Sequence, residues 1–406
     1  MQLHRSLAAA LAVCTTLAAQ PYNIGWRDMP FANRTASGST VIQSRVFYPA
    51  QSAGQNAPLL AQGGGWPVVV FLHGRGSTGQ IYGDIWNPLA SNGYVAVMVD
   101  TAVTDGTLLM RDGIALHPTL IAENADPAGF FYGALDMNRA AIQGYSMGGG
   151  SAVRVLITNP GYKCGFFQAP ALSSSYYSQL GTVRVPIGFT GGLGDTVVSP
   201  TGVKSLYDAA NSYTGFKFHY QFNSGGDHNN ITASYLSRPQ DLAVIARVRK
   251  VFLGFYDRVL RGNPRGLESV LGTEARSEAY LAPAMPPTQQ SSPFCAVETA
   301  QAWLVGTGQL NTTVRVNLLG EQGYGGFLMA PAQGNVSTPF GALLLDVPSL
   351  VILATPGVLV SKFQTFDLPI PALPGLAGTR LWFQNFGLVV GGAGRLSVTD
   401  DVTIIE

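Results

Sequence analysis

The chain has 406 residues, enough for two domains, and 46% of them are apolar while only 12% are charged. Its 24 Lys and Arg against 23 Asp and Glu leave a formal net charge of +1. Nothing in that balance suits a polyanionic partner, so nucleic acid is excluded as a target.

The first residues predict an export signal. Met1 to Arg5 form a short n-region, Ser6 to Leu17 are apolar and small, and Ala18-Ala19-Gln20 offers a small-residue cleavage site, so residues 1–19 read as a secretory signal peptide. A lipoprotein signal at Leu11-Ala12-Val13-Cys14 fits less well, because Val13 is bulky where a small residue is wanted. No other apolar stretch is long enough to span a bilayer, and the expected location is extracellular or periplasmic. Loss of the signal removes Cys14 and leaves Cys164 and Cys295, a pair that an oxidising compartment permits to bridge. Cys164, in "YKCGFFQA", reads equally well as a small buried hydrophobe.

From Val41 to Val251, β-rich runs alternate with amphipathic or small-residue stretches, the pattern of a mainly parallel sheet covered by helices. Strands are expected at Val41–Tyr48, Trp66–Leu72, Tyr94–Asp100, Ala140–Tyr145, Tyr162–Ala169, Val183–Thr190 and Phe216–Phe222. Several are apolar throughout, as interior parallel strands are. Asp241–Arg261 carries Leu242, Ile245, Val248, Phe252, Phe255 and Val259 at helical spacing, and Gly262-Asn263-Pro264 stops it. An α/β domain over residues 20–280 follows.

Leu281–Pro293 has four prolines and a polar run, so residues 281–298 read as a linker. Beyond it, β-rich runs at Thr312–Leu319, Ala342–Leu345, Leu350–Leu353, Arg380–Phe383 and Leu396–Ile405 recur between Gly and Pro turns. They predict a β-sandwich-like domain over residues 299–406.

Gly144-Tyr145-Ser146-Met147-Gly148 spells G-x-S-x-G. With 27 serines and 49 glycines, about 0.4 such pentapeptides are expected by chance, so the surroundings decide its meaning. The motif lies between the apolar "AAIQGY" and "MGGGSAVRVLI", a strand running into a helix start. That is where a nucleophile elbow must sit, since the turn strains the serine backbone and the helix N-terminus faces the developing negative charge. A second buried run, "VVVFLHGRGSTG", ends in glycines that let the backbone approach a carbonyl, which makes the N–H groups of Arg75 and Met147 the natural oxyanion donors.

Hydrolases built round this turn run in the order nucleophile, acid, base. Of five histidines, His4 is in the signal, His73 and His117 precede Ser146, and His219 sits inside the strand "FKFHYQF". His228, in the loop "NSGGDHNN", remains as the base, and His73 reads as a support for its own loop. Asp195, closing "VPIGFTGGLGD", falls between Ser146 and His228 and is the candidate acid. Its rivals are weaker: Asp227 adjoins His228, Asp208 lies on a presumed surface helix, and Asp100 precedes the serine.

Taken together, "FLHGRGST", "PLASNGYVAVMVDT", "GYSMGGGSA", "FFQAPALSS" and "GGDHN" resemble the dienelactone-hydrolase-like branch of the α/β-hydrolases, especially bacterial cutinases and poly(ethylene terephthalate) hydrolases, over about Tyr22 to Arg261. The resemblance implies an α/β-hydrolase fold, a Ser146–His228–Asp195 triad and an oxyanion hole at Arg75 and Met147, with no metal or cofactor required. It also marks two departures. Polyester-cleaving members carry an aromatic residue where this chain has Arg75, and a tryptophan where it has Ala171. The loss of both removes clamp surface and puts a cation at the mouth of the acyl groove. Ala171, Tyr82 and Val197 are expected along the substrate groove, with Trp86, Tyr176 and Tyr177 as further aromatic candidates.

The leading reading is a secreted serine carboxylesterase acting on small-molecule or polymeric esters. The alternatives are a serine peptidase, for which no propeller-like gating domain is visible, and a surface- or glycan-binding protein with an inactive hydrolase fold. In either case the β domain is expected to meet a surface, polymer or glycan.

Overall fold

The computed structural model describes residues 22–158, 161–210, 216–222, 226–232, 239–272, 294–296, 301–319, 323–339, 341–359, 363–389, 394–396 and 400–405. The stretch read as an export signal, Cys14 included, and most of the stretch read as a linker lie outside them.

A ten-stranded sheet organises the first two thirds. Its strands are β1 (Asn23–Ala32), β2 (Val41–Ala50), β3 (Gly54–Gln55), β4 (Trp66–Leu72), β5 (Val95–Val99), β6 (Leu135–Tyr145), β7 (Cys164–Gln168), β8 (Ile187–Gly192), β9 (Lys217–Phe222) and β10 (Phe294–Ala296). They lie in the order β10-β9-β8-β7-β6-β4-β5-β2-β1-β3. The six from β9 to β5 run parallel, while β2 and β10 join antiparallel at the two sides. The parallel core follows from composition: "WPVVVFL" is buried at all seven positions, which only a strand covered on both faces can be.

Helices supply the two covers: α1 (Gly83–Ser91), α2 (Gly106–Ala125), α3 (Met147–Thr158), α4 (Pro200–Ala209), α5 (Pro239–Arg261) and α6 (Gly266–Leu271). Because side chains alternate across a strand, Val68, Val70 and Leu72 pack with α2, α3 and α4, whereas Val69 and Phe71 pack with α1, α5 and α6. On α5 the buried stripe runs through Val244, Ile245, Val248, Val251, Phe252, Phe255 and Tyr256. Leu242, expected on that stripe, is instead 54% exposed, because at helical spacing it falls to one side of the stripe and its neighbour Asp241 is the residue buried in the first turn.

Residues 294–296, inside the stretch read as a linker, form β10 and pair with β9. This placement separates the two cysteines. Cys295 is on β10 and Cys164 on β7, with two strands between them, so their backbones are roughly 14 Å apart at about 4.8 Å per strand, too far to bridge. Cys164 is a free, buried thiol, and burial pushes its pKa well up.

The C-terminal region is antiparallel β throughout its described parts. It contains β11 (Gln301–Val305), β12 (Thr313–Leu319), β13 (Gly323–Ala330), β14 (Gln333–Thr338), β15 (Gly341–Leu345), β16 (Val351–Leu359), β17 (Phe363–Pro369), β18 (Arg380–Val389), β19 (Gly394–Leu396) and β20 (Asp400–Thr403). One sheet runs β11-β12-β17 and another β16-β13-β18-β19, with β20 also on β18. Leu304, Val314, Val316 and Leu318 of the first share a core with Phe327, Phe383 and Val402 of the second, which makes the pair sandwich-like. The region is docked on the α/β part. Trp303 is fully buried among residues of that part, and its Nε1–H donates to Glu268 Oε2 at 2.7 Å, while Arg265 donates to Asp400 at 3.2 Å. No helix among the described residues is long and apolar enough to cross a membrane.

Candidate active site

Five loops at the carboxyl ends of the parallel strands converge, where ligands bind in open α/β sheets. Ser146 stands between β6 and α3 with φ of 53°, a left-handed conformation that a non-glycine residue holds only when its surroundings enforce it. They do so here. The Ser146 N–H donates to Gln168 O at 2.9 Å, and its carbonyl accepts from Gly150 and Ala171. The neighbouring glycines are required by contact: a Cβ on Gly148 would overlap the carbonyl of Leu72, and one on Gly144 the carbonyl of Gly148.

The loop after β9 brings His228 to Ser146, with Nε2 to Oγ at 3.0 Å, and the loop after β8 brings Asp195 to the other ring nitrogen, with Nδ1 to Oδ2 at 2.8 Å. Asp195 is 4% exposed, and its second oxygen accepts the N–H groups of Val197 and Val198, each at 2.8 Å. A carboxylate so held can only accept, so Nδ1 carries the proton and Nε2 presents its lone pair to the serine hydroxyl.

Residues not anticipated from sequence hold the histidine loop. Tyr145, next to the serine, donates its hydroxyl to the His228 carbonyl at 2.7 Å, and its ring lies 5.0 Å from the imidazole. Asp227 accepts the N–H groups of Asn229 and Asn230, and buried Asn230 bonds on to Asp241 on α5. Below them the buried Gln143–Gln168 pair reaches the Ile231 carbonyl through Gln168 Nε2. The sequence signal for Tyr145 and Gln168 was adjacency to the quoted motifs; their partners lie 83 and 63 residues away.

Arg75 and Met147 flank Ser146 in a cleft of about 690 Å³ that is also lined by Gly74, Ile81, Tyr82, Ala171, Val197, Val198 and Asn229. Met147 begins α3, so its N–H has no partner within the helix, and it sits at the positive end of the helix dipole. The loop carrying Arg75 is pinned on both sides: Gly74 N–H donates to the Tyr82 hydroxyl, and Gly76 N–H donates to Val103 O. His73, fully buried, has its ring nitrogens 2.8 Å from the carbonyls of Gly74 and Thr101, a loop support as expected. Asp100 accepts from Gln80 N–H; burial raises its carboxyl pKa, and backbone hydrogen bonds from Gln80 and Gly79 oppose the rise.

The groove residues Ala171, Tyr82 and Val197 all line the cleft. Tyr82, however, is 4% exposed, packs against Phe71 and Tyr145, and spends its hydroxyl on Gly74 and Ser77, so it braces the loop and offers little face to a ligand. Trp86 stacks on Phe47 at 4.0 Å, and the Tyr176 ring lies under Arg154, while Tyr177 packs against the core. His117 and His219 lie away from the cleft, where burial lowers both pKa values, His219 to about 4. Asp208 sits on α4 with Lys204. Among the described residues no cluster of His, Cys, Asp and Glu is arranged to hold a metal.

A comparison with protein families matches residues 31–249 to a profile described as PET hydrolase-like. A search of curated proteins gave no match.

Proposed function

The chain belongs to the PET hydrolase-like family, which covers more than half its length and makes it an ester hydrolase in broad class, and from that premise we propose that it is a secreted serine carboxylesterase. The observation that carries this reading is the unbroken line from Asp195 through His228 to Ser146, with contacts of 2.8 and 3.0 Å, opening into the cleft.

In the proposed reaction the Ser146 hydroxyl attacks the ester carbonyl as His228 Nε2 takes its proton, and Asp195 stabilises the imidazolium. The N–H groups of Arg75 and Met147 hold the oxyanion. His228 then passes the proton to the departing alcohol, leaving an acyl group on Ser146. Water attacks that acyl-enzyme, giving its proton to His228, and the acid leaves as Ser146 is reprotonated. The chemistry uses only the chain's own groups.

The finer preference we propose is for small soluble esters over aromatic polyester. Arg75 and Ala171 present no aromatic face at the cleft, and Val197 and Ile81, 69% and 44% exposed, offer only modest apolar rim. The N-terminal stretch supports export, and we assign catalysis to residues 20–280 and an accessory role to residues 299–406. Turnover of p-nitrophenyl acetate by the wild type and by Ser146→Ala tests the reading: activity is expected in the first and absent from the second, and equal activity in both would overturn it.

A further inference from the structure

Arg75 stands out among the residues of the cleft. Among the described residues it is the only cleft-lining side chain with a permanent charge, it is exposed, and no carboxylate pairs with it. Arg45, Arg139, Arg249 and Arg261, by contrast, each hold an aspartate. Its backbone is fixed by the hydrogen bonds of Gly74 and Gly76, while no described residue engages its guanidinium.

We propose that Arg75 is a specificity determinant that selects esters whose acid half carries a free carboxylate, that is, half-esters of dicarboxylic acids. The proposal rests on the esterase reading and names its substrate class.

Sheet order assigns the two halves of the substrate. Ser146 follows β6; the Arg75 loop follows β4 on one side, while Asp195 and His228 follow β8 and β9 on the other. The leaving alcohol must take its proton from His228, so it departs on the β8–β9 side, and the side facing Arg75 is left to the acid half. A planar guanidinium matches a carboxylate through two parallel N–H···O contacts, and apolar Ile81, which also follows β4 and lines the cleft, weakens the competition from water. Among the described residues no carboxylate lines the cleft to repel such a group, since Asp195 is buried behind His228 with both oxygens occupied. Substrates of this class arise wherever one ester bond of a diester has already been hydrolysed.

The test compares two esters with the same reacting bond and one remote difference: mono-p-nitrophenyl adipate, with a free terminal carboxylate, and its methyl ester, p-nitrophenyl methyl adipate. For the wild type, kcat/KM is expected to favour the charged ester by about two- to fivefold, the range of an exposed ion pair, and the preference should shrink as salt is raised. Arg75→Gln should bring the ratio to about one, and Arg75→Lys, which keeps the charge but not the paired contacts, should retain only part of it. The ratio within each variant cancels any effect on the oxyanion hole common to both esters. A wild-type ratio at or below one, or a ratio unchanged in Arg75→Gln, would overturn the proposal. Turnover of the neutral ester by the wild type reports the esterase reading separately.

Discussion

Tyr145 makes a direct link between the serine and the loop of its base, because one residue adjoins Ser146 in the chain and binds the His228 carbonyl through its hydroxyl. Removing that hydroxyl frees the loop without emptying the site. Tyr145→Phe is therefore expected to lower kcat by about fivefold, the value of one ordinary hydrogen bond, with KM nearly unchanged. Steady-state kinetics on a soluble ester measures it, and a change confined to KM would mean that Tyr145 acts on substrate binding. His219 sets a second expectation, for stability. Burial holds its pKa near 4 against an ordinary value of 6.5, so the unfolded chain takes up a proton that the folded chain refuses. That contribution is fully present above pH 6.5 and is lost as pH falls from there toward 4, by up to about 3 kcal/mol. Urea unfolding of the wild type and His219→Asn across that window should show a shallower acid slope in the variant. Parallel slopes would assign the acid loss to other groups. Ser146, His228 and Asp195 were legible in the sequence because a local motif and a rule of chain order single them out. Tyr145, Gln168 and Asn230 were not, since each acts through a contact with a distant segment that no local pattern encodes.

At the scale of elements, the parallel strands were the readable part, because strands buried on both faces are apolar at every position, as in "WPVVVFL". Strand β1, one short strand in from the sheet's edge, was missed for the converse reason. Its face is half solvent-exposed, and "NIGWRDMPFA" mixes charge, glycine and proline with its few apolar residues. Likewise β14 is polar and entirely outside the core, held by its hairpin with β15. The loops after β4 and β7 carry Arg75 and Ala171, the two positions where the sequence resemblance expects aromatic residues in polyester-cleaving enzymes. Arg75→Tyr combined with Ala171→Trp should raise turnover on aromatic polyester film more than on p-nitrophenyl acetate, since each ring adds stacking surface worth about 0.5–1.5 kcal/mol per aromatic pair. Film release and soluble-ester assays on both proteins decide it. A wild type that already matches the double variant on film, relative to soluble ester, would mean that other residues build the groove.

Across the whole molecule, the C-terminal β region is fastened to the α/β part by buried structure. Trp303 on β11 enters the core beside Leu267, Val270 and Leu271 of α6, and Glu268 accepts from both Trp303 Nε1 and Asn317 Nδ2. Asp400 accepts the Leu304 N–H at 2.8 Å while pairing with Arg265, so the same carboxylate orders β11 and holds the two parts together. A chain ending at Gly272 would uncover this apolar site and the β9 edge, and it should unfold at a lower denaturant concentration than the full chain. Trp303→Ala should cost about 3–5 kcal/mol by the same measure. An unchanged midpoint in both would mean that the β region contributes nothing to the stability of the catalytic part.

If Ser146, activated through His228 and Asp195, is the nucleophile, a covalent trap should mark that residue and no other. The protein is treated with a fluorophosphonate and the adduct is located by peptide mass spectrometry, for the wild type and for His228→Ala. One phosphonyl group is expected on Ser146 of the wild type, formed orders of magnitude more slowly when the imidazole is absent. An adduct on another residue, or none on folded wild-type protein, would contradict it.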